Sequence, residues 1–314
     1  MTKLFTMLAS VLLLAACTGT QLLNRMTTSE GYDAHLDVVY DDATGLKLDV
    51  YSPPDAQNVP VVIFFYGGRW SGGFRQDYKF VGQALTQQGF VTVVPDMRHY
   101  PKVRFPTFVD DAAEAVKWVH DNIEKYGGSS SKLFVMGHQS GAHIAAMLAL
   151  DPDYLKAAGG KRQWLSGMIG LAGPYDFLPL TSSDLRDMFG PPDQFDRSQP
   201  IQYADGHNPP MLLMHGEDDP DVQVKNTRNL AAAIIHAGGA VDTVLYPKMS
   251  NNQILATIGA PLRNTSDVLT NITEFVRKNS IAQPKMDASM PSEGTAVPLE
   301  PDAAPLEIQT QPLK

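Results

Sequence analysis

The sequence predicts an α/β fold: a mostly parallel eight-stranded sheet with helices on both faces and a small lid. Three observations carry that expectation. Short apolar, β-branched runs alternate with helical patterns along the chain, a layout that requires crossovers between parallel strands. Most of those runs are apolar throughout rather than at every second residue, as strands covered on both faces are. And 43% hydrophobic residues in a chain of 314 can bury a sizeable core.

The elements follow in chain order. The N-terminus carries Lys3 and then an apolar run from Leu4 to Leu14. That run is shorter than the roughly 20 residues a spanning helix needs, so residues 1–17 read as a signal peptide. It closes on Leu14-Ala15-Ala16-Cys17, and Cys17 is the only cysteine of the chain, which excludes an internal disulfide. Residues 18–33 are polar and aperiodic and read as a tether with few contacts. His35 to Tyr40 and Leu46 to Tyr51 form a hairpin around Asp41-Asp42-Ala43-Thr44-Gly45 at one sheet edge. Six buried-type strands follow at Val59 to Phe65, Phe90 to Pro95, Lys132 to Met136, Met168 to Ala172, Met211 to Met214 and Thr243 to Tyr246. Helical periodicity marks Tyr78 to Gln87, Phe108 to Lys125, Gly141 to Leu150, Val224 to His236 and Ser266 to Lys278. The domain runs from 34 to 280, and the proline-rich stretch at 175–208 interrupts its alternation as a small lid. From Ile281 to the end, many Pro, Ala, Ser and Glu residues with almost no aromatics predict a disordered tail.

The chemistry concentrates in four segments. Lys132-Leu133-Phe134-Val135-Met136-Gly137-His138-Gln139-Ser140-Gly141-Ala142-His143 is an apolar strand running through glycines into a helix. Gly137 and Gly141 flank Gln139 as small residues flank the strained residue of a nucleophile elbow. The segment resembles the elbow Gly-His-Ser-Ala-Gly-Ala-His of bacterial α/β-hydrolase serine carboxylesterases of the hormone-sensitive-lipase-like and feruloyl-esterase-like groups. Gln139 stands at the nucleophile position, and an amide has no proton to give up there. Ser140 lies one residue on, about 100° around the helix axis, and its backbone N–H is the better-placed group, as half of an oxyanion hole. Tyr66-Gly67-Gly68-Arg69-Trp70 resembles the family's His-Gly-Gly-x-Trp, and Gly67, Gly68 and Arg69 would supply the remaining backbone donors.

Two further segments resemble the family's acid and base loops. In His215-Gly216-Glu217-Asp218-Asp219-Pro220-Asp221-Val222 the resemblance selects Asp219 as the triad acid, with Asp218 and Asp221 close by and His215 a structural turn residue. In Tyr246-Pro247-Lys248-Met249-Ser250-Asn251 the family's histidine position holds Asn251, which cannot take a proton near neutral pH. The eight histidines, His35, His99, His120, His138, His143, His207, His215 and His236, all precede it. Rescue of general-base chemistry would need one from the lid, such as His207. None shows the paired spacing of a zinc site, so neither a metal nor another cofactor is implied.

The chain is therefore expected to be a carboxylesterase-like protein, inactive or severely impaired, that binds a small ester or acyl ligand. The alternatives are an active carboxylic-ester hydrolase and a purely structural surface protein. The segment ending in Cys17 resembles the bacterial lipobox, which implies lipid on that cysteine and attachment to the cell envelope. Thr18 after it favours, by the same resemblance, the outer membrane facing the periplasm. A net charge of −9 argues against nucleic acid as a partner. Lid residues Phe177, Leu178, Phe189 and Phe195 serve equally as an apolar ligand wall or as lid core.

Overall fold

A computed structural model of the protein describes residues 19–281. The expected signal peptide with Cys17, and the expected tail beyond Ile281, lie outside the described residues. Helix α1 (Gly19–Met26) leads into strands β1 (Asp33–Asp41), β2 (Leu46–Ser52) and β3 (Val59–Phe65). Then come α2 (Lys79–Thr86), β4 (Val91–Pro95), α3 (Thr107–Asn122), β5 (Gly128–His138), α4 (Ser140–Leu150), α5 (Pro152–Ala157) and β6 (Leu165–Leu171). The lid contributes α6 (Ser183–Phe189) and two short 3₁₀ turns. The domain closes with β7 (Met211–Gly216), α7 (Lys225–His236), β8 (Val241–Tyr246), α8 (Asn251–Ala256) and α9 (Val268–Ser280).

The eight strands form one sheet in the order β1-β2-β4-β3-β5-β6-β7-β8. β1 pairs antiparallel with β2 and β2 antiparallel with β4; every other neighbouring pair is parallel. Composition follows position. Central β5 buries Leu133, Phe134, Val135 and Met136 completely, because helices cover both of its faces. Edge β1 is exposed along most of its length and carries Asp33, His35 and Asp37. Each of the eight expected strands is present, and β5 extends beyond its apolar run at both ends.

Residues 18–33 are not the bare tether that their polarity suggested. Gly19–Met26 is helical and buries Leu23. Asn24 Oδ1 accepts from the Phe80 N–H at 3.0 Å, and Asn24 Nδ2 donates to the Gln76 carbonyl. One buried leucine in eight residues makes too short a pattern for periodicity to reveal.

Candidate active site

The elbow takes the geometry that its glycines permit. Gln139 has φ +51° and ψ −118°, a backbone state costing on the order of 1–3 kcal/mol for a residue with a side chain. It is held by Gln139 N–H donating to Leu171 O at 2.9 Å and by Gln139 O accepting from Ala142 and His143. A Cβ on Gly137 would sit 2.1 Å from Gly141 O, and one on Gly141 would sit 2.0 Å from Phe65 O. Both positions therefore require glycine. The elbow joins the buried end of β5 to α4, so residue 139 stands at the C-terminal edge of the sheet, where α/β folds place their sites.

The loop after β3 folds over the elbow. A Cβ on Gly67 would lie 3.2 Å from Gln139 Cβ, so the two turns are in direct contact. Gly68, Arg69 and Trp70 all have positive φ, which turns the main chain of this loop. Tyr66, at the position of the family's histidine, is 2% exposed. Its ring stacks on Tyr78 at 5.2 Å and its hydroxyl donates to Asp96 Oδ1 at 2.9 Å. Burial, with Asp96 beside it, pushes that phenol well above its ordinary range. Trp70 joins three elements. Its indole N–H donates to His143 Nδ1 at 3.1 Å, and His143 Nε2 donates to Ser198 O at 2.8 Å in the lid. An indole only donates, so His143 carries its proton on Nε2. Burial holds it neutral, with its pKa lowered to about 4.

The acid loop after β7 places Asp219 in a buried pocket. Asp219 Oδ1 accepts from the N–H groups of Asp221 and Val222 at 2.9 Å each, and Oδ2 lies 3.2 Å from His215 Nε2. Burial pushes this carboxyl up, but the hydrogen bonds from His215, Val222 and Asp221 outweigh it and hold the group below the usual carboxylate range. The other His215 nitrogen, Nδ1, lies 2.7 Å from Thr227 Oγ1. Hydroxyl, imidazole and carboxylate thus stand in triad order, but Thr227 and His215 are fully buried and line neither cavity at the elbow. His215 is structural, as the sequence suggested.

Asn251 is the first residue of α8 and is 1% exposed. Its amide donates to Asp221 Oδ2 at 3.2 Å, while its own Oδ1 is buried without a partner. The carboxylate touching position 251 is therefore Asp221, the neighbour that competed with Asp219 in the sequence. His138 Nε2 donates to the Asn251 carbonyl at 3.0 Å, so Nδ1 is the unprotonated nitrogen, and it too is buried without a partner. Burial lowers the His138 pKa to about 4. His207 is far from this arrangement in character: it is exposed, bonds to Asp205 and lines neither cavity at the elbow.

Two cavities meet at Gln139. One, of about 330 Å³, lies under the lid between Arg69, Trp70, Ser140, Phe177, Leu178, Leu185, Asp221 and Lys225. The other, of about 640 Å³, lies between Gly67–Gly68, His138, α8 and α1. Phe177 and Leu178 line the lid-side cavity while packing against the core, whereas Phe189 is 2% exposed and packs on Trp70, Phe105 and Phe108 as lid core. Phe195 lines neither cavity and packs against the core. Lys225 escaped the sequence reading, and nothing in its surroundings there marks it. Helix α8 did leave a signal, the capping box of Ser250 and Gln253 ahead of Ile254 and Leu255.

Comparison with known proteins gives a consistent result. The model of the BD-FAE family matches residues 48–234. Curated relatives include an isoprenylcysteine alpha-carbonyl methylesterase of Arabidopsis thaliana, 26% identical over 79% of this chain and 65% of its own length. Esterase LipQ of Mycobacterium tuberculosis is 28% identical over 77% of this chain and 64% of its own length. The chain thus spans somewhat less than two thirds of these relatives. Among solved structures, a truncated carbohydrate esterase from gut microbiota superposes with a TM-score of 0.71 at 19% identity, covering 81% of this chain and 98% of that one. A hyperthermophilic esterase from the archaeon Pyrobaculum calidifontis gives 0.69 at 20% identity, covering 84% and 91%. At such identities the likeness establishes the α/β-hydrolase fold.

Proposed function

This chain belongs to the BD-FAE family and is a carboxylesterase-like α/β-hydrolase, and from that premise we propose that its site binds a small ester or acyl ligand without turning it over. The observation that carries the reading is the elbow itself. Its strained turn and its two obligatory glycines are intact, yet the side chain presented there is the amide of Gln139. An amide supplies neither a transferable proton nor a nucleophile, and Asn251 at the base position repeats the deficiency. In this reading Ser140, Gly67, Gly68 and Arg69 form the oxyanion hole; Asp219 is the acid that resemblance selects, and Asp221 is the carboxylate that touches position 251. In a subtilisin, losing the nucleophile or the base costs about a million-fold in turnover, and the losses do not add. The two substitutions together are therefore no worse than one.

The names of the relatives favour a second reading, an active ester hydrolase. It needs another nucleophile in the lid-side cavity, where the hydroxyl residues are Ser140 and Thr181. Neither is hydrogen-bonded to a histidine; the buried imidazoles of His138, His143 and His215 engage Asn251, Trp70, Ser198, Thr227, Asp219 and Val222 instead. The test is hydrolysis of a short-chain nitrophenyl ester by the protein, beside the double replacement Gln139→Ser with Asn251→His. The unmodified protein is expected to be silent and the replacement active. Sustained turnover by the unmodified protein, abolished by Ser140→Ala, would establish the second reading.

The same proposal places the protein on the cell envelope through lipid on Cys17, with the domain on the periplasmic side of the outer membrane. Fractionation of cells is expected to find the chain with membranes and Cys17→Ser in the soluble fraction. An unchanged distribution would remove the anchor from the reading.

A further inference from the structure

The lid-side cavity has a charge pattern that a neutral ester does not use. Arg69 and Lys225 both line it, and neither forms an ion pair among the described residues. The one carboxylate in the lining, Asp221, already accepts a hydrogen bond from Asn251. Two cations against one carboxylate leave the lining at +1 (two minus one), in a chain whose net charge is −9. Isolated exposed cations contribute little to anything. These two converge on a cleft walled by Trp70, Phe177 and Leu185, where a lower local dielectric strengthens their attraction for an anion.

The neutral groups at the site have the same bias. The Gln139 side chain is half-buried, faces both cavities and makes no hydrogen bond to any described residue. Where a serine would offer one hydroxyl, it offers an N–H₂ with two donors. The backbone N–H of Arg69, which lines the same cavity, likewise has no acceptor among the described residues. The N-terminus of α4, an eleven-residue helix, opens beside them, and its dipole adds to the positive potential. Donors and cations face the cavity together, and an apolar wall completes it.

We propose that this cavity binds the carboxylate of an apolar organic acid, with the Gln139 amide and the Arg69 N–H donating to its oxygens and the Arg69 and Lys225 side chains neutralising its charge. The inference rests on the reading of the site as a binder and deepens it: the position of the nucleophile holds a group with two N–H donors, and the ligand resembles the acid product of ester hydrolysis rather than the ester. A cavity of about 330 Å³ lies at the small end of ligand sites. That suits a phenylalkanoate or a medium-chain fatty acid.

Isothermal titration of the full chain with 4-phenylbutyrate, 4-phenylbutyramide and methyl 4-phenylbutyrate separates the outcomes. The acid is expected to bind about tenfold or more tightly than the amide or the ester, since only the acid carries the charge that the lining complements. Arg69→Gln combined with Lys225→Gln is expected to bring that ratio below about threefold, and Gln139→Leu to lower acid affinity while both cations remain. Equal binding of all three compounds, or a preference that survives removal of both cations, overturns the carboxylate proposal and leaves the ligand-binding reading standing. Binding of none of them at millimolar concentration overturns both. Turnover of the methyl ester by the unmodified protein overturns catalytic silence.

Discussion

Gln139 and His138 are neighbours in sequence, and the fold makes opposite demands on them. Gln139 occupies a strained turn yet faces two cavities, whereas His138 is buried with one nitrogen bonded and one bare. The elbow could be read from the sequence because steric need leaves a visible trace, a glycine on each side at a spacing of two. The partner of Asn251 could not. Asp219 and Asp221 are equally acidic in the sequence, and only the turn geometry, with both Asp219 oxygens already engaged, puts Asp221 against the amide. The buried imidazoles of His138 and His143 make stability depend on pH. For His138, burial outweighs the Asn251 hydrogen bond and the favourable field of Asp219, with His215 adding to the depression; for His143, burial outweighs its bond to Ser198. Folded pKa values of about 4 lie below the ordinary 6.5, so the unfolded chain binds protons first as pH falls. Their contribution is therefore fully present above pH 6.5 and is lost progressively as pH falls toward 4, by on the order of 1.4 kcal/mol per pH unit for each group. The melting temperature is expected to drop between pH 6.5 and 4.5 and to drop less steeply in His143→Gln. A slope unchanged by that substitution would show that His143 does not titrate as its burial implies.

Among the elements, the strands were the legible part and the short helices were not. An apolar β-branched run of five to seven residues is visible without knowing what packs on it. Helices α5, α6 and α8 have six, seven and six residues, too few for the 3.6-residue period to emerge, and α1 buries one leucine in eight. Yet α1 has a defined task. Helix α2 begins without a side-chain cap of its own, and Asn24 of α1 accepts from the Phe80 N–H in its first turn. A polar residue read as solvated tether is thus the cap of another helix, a non-local arrangement with no sequence signature. Asn24→Ala is expected to cost about 0.5–2 kcal/mol, the range found for lost helix caps, measured as a lower midpoint in urea at unchanged slope. A shift indistinguishable from zero would mean that α1 lies on the domain without supporting it.

For the whole molecule, alternation of strands and helices made the layered architecture legible, while the crossing order β1-β2-β4-β3-β5-β6-β7-β8 left no trace in the pattern. The lid is where pattern failed most. Its proline-rich chain is rooted through Asn226 of α7, whose side chain accepts from the N–H groups of Tyr175 and Asp176, and through Ser198, which accepts from His143. Through Trp70 and His143 the oxyanion-type loop, the elbow helix and the lid form one braced unit. That bracing remains while Gln139 and Asn251 carry amides, so the molecule keeps the frame of a carboxylesterase-like α/β-hydrolase around the site that we propose binds without turnover. Intact-mass measurement after incubation with a serine-reactive organophosphate ester tests this most directly. The unmodified protein is expected to gain no mass, and the protein carrying Gln139→Ser with Asn251→His to gain one phosphoryl adduct at residue 139. An adduct on the unmodified protein, mapped to Ser140 or Thr181, would contradict it.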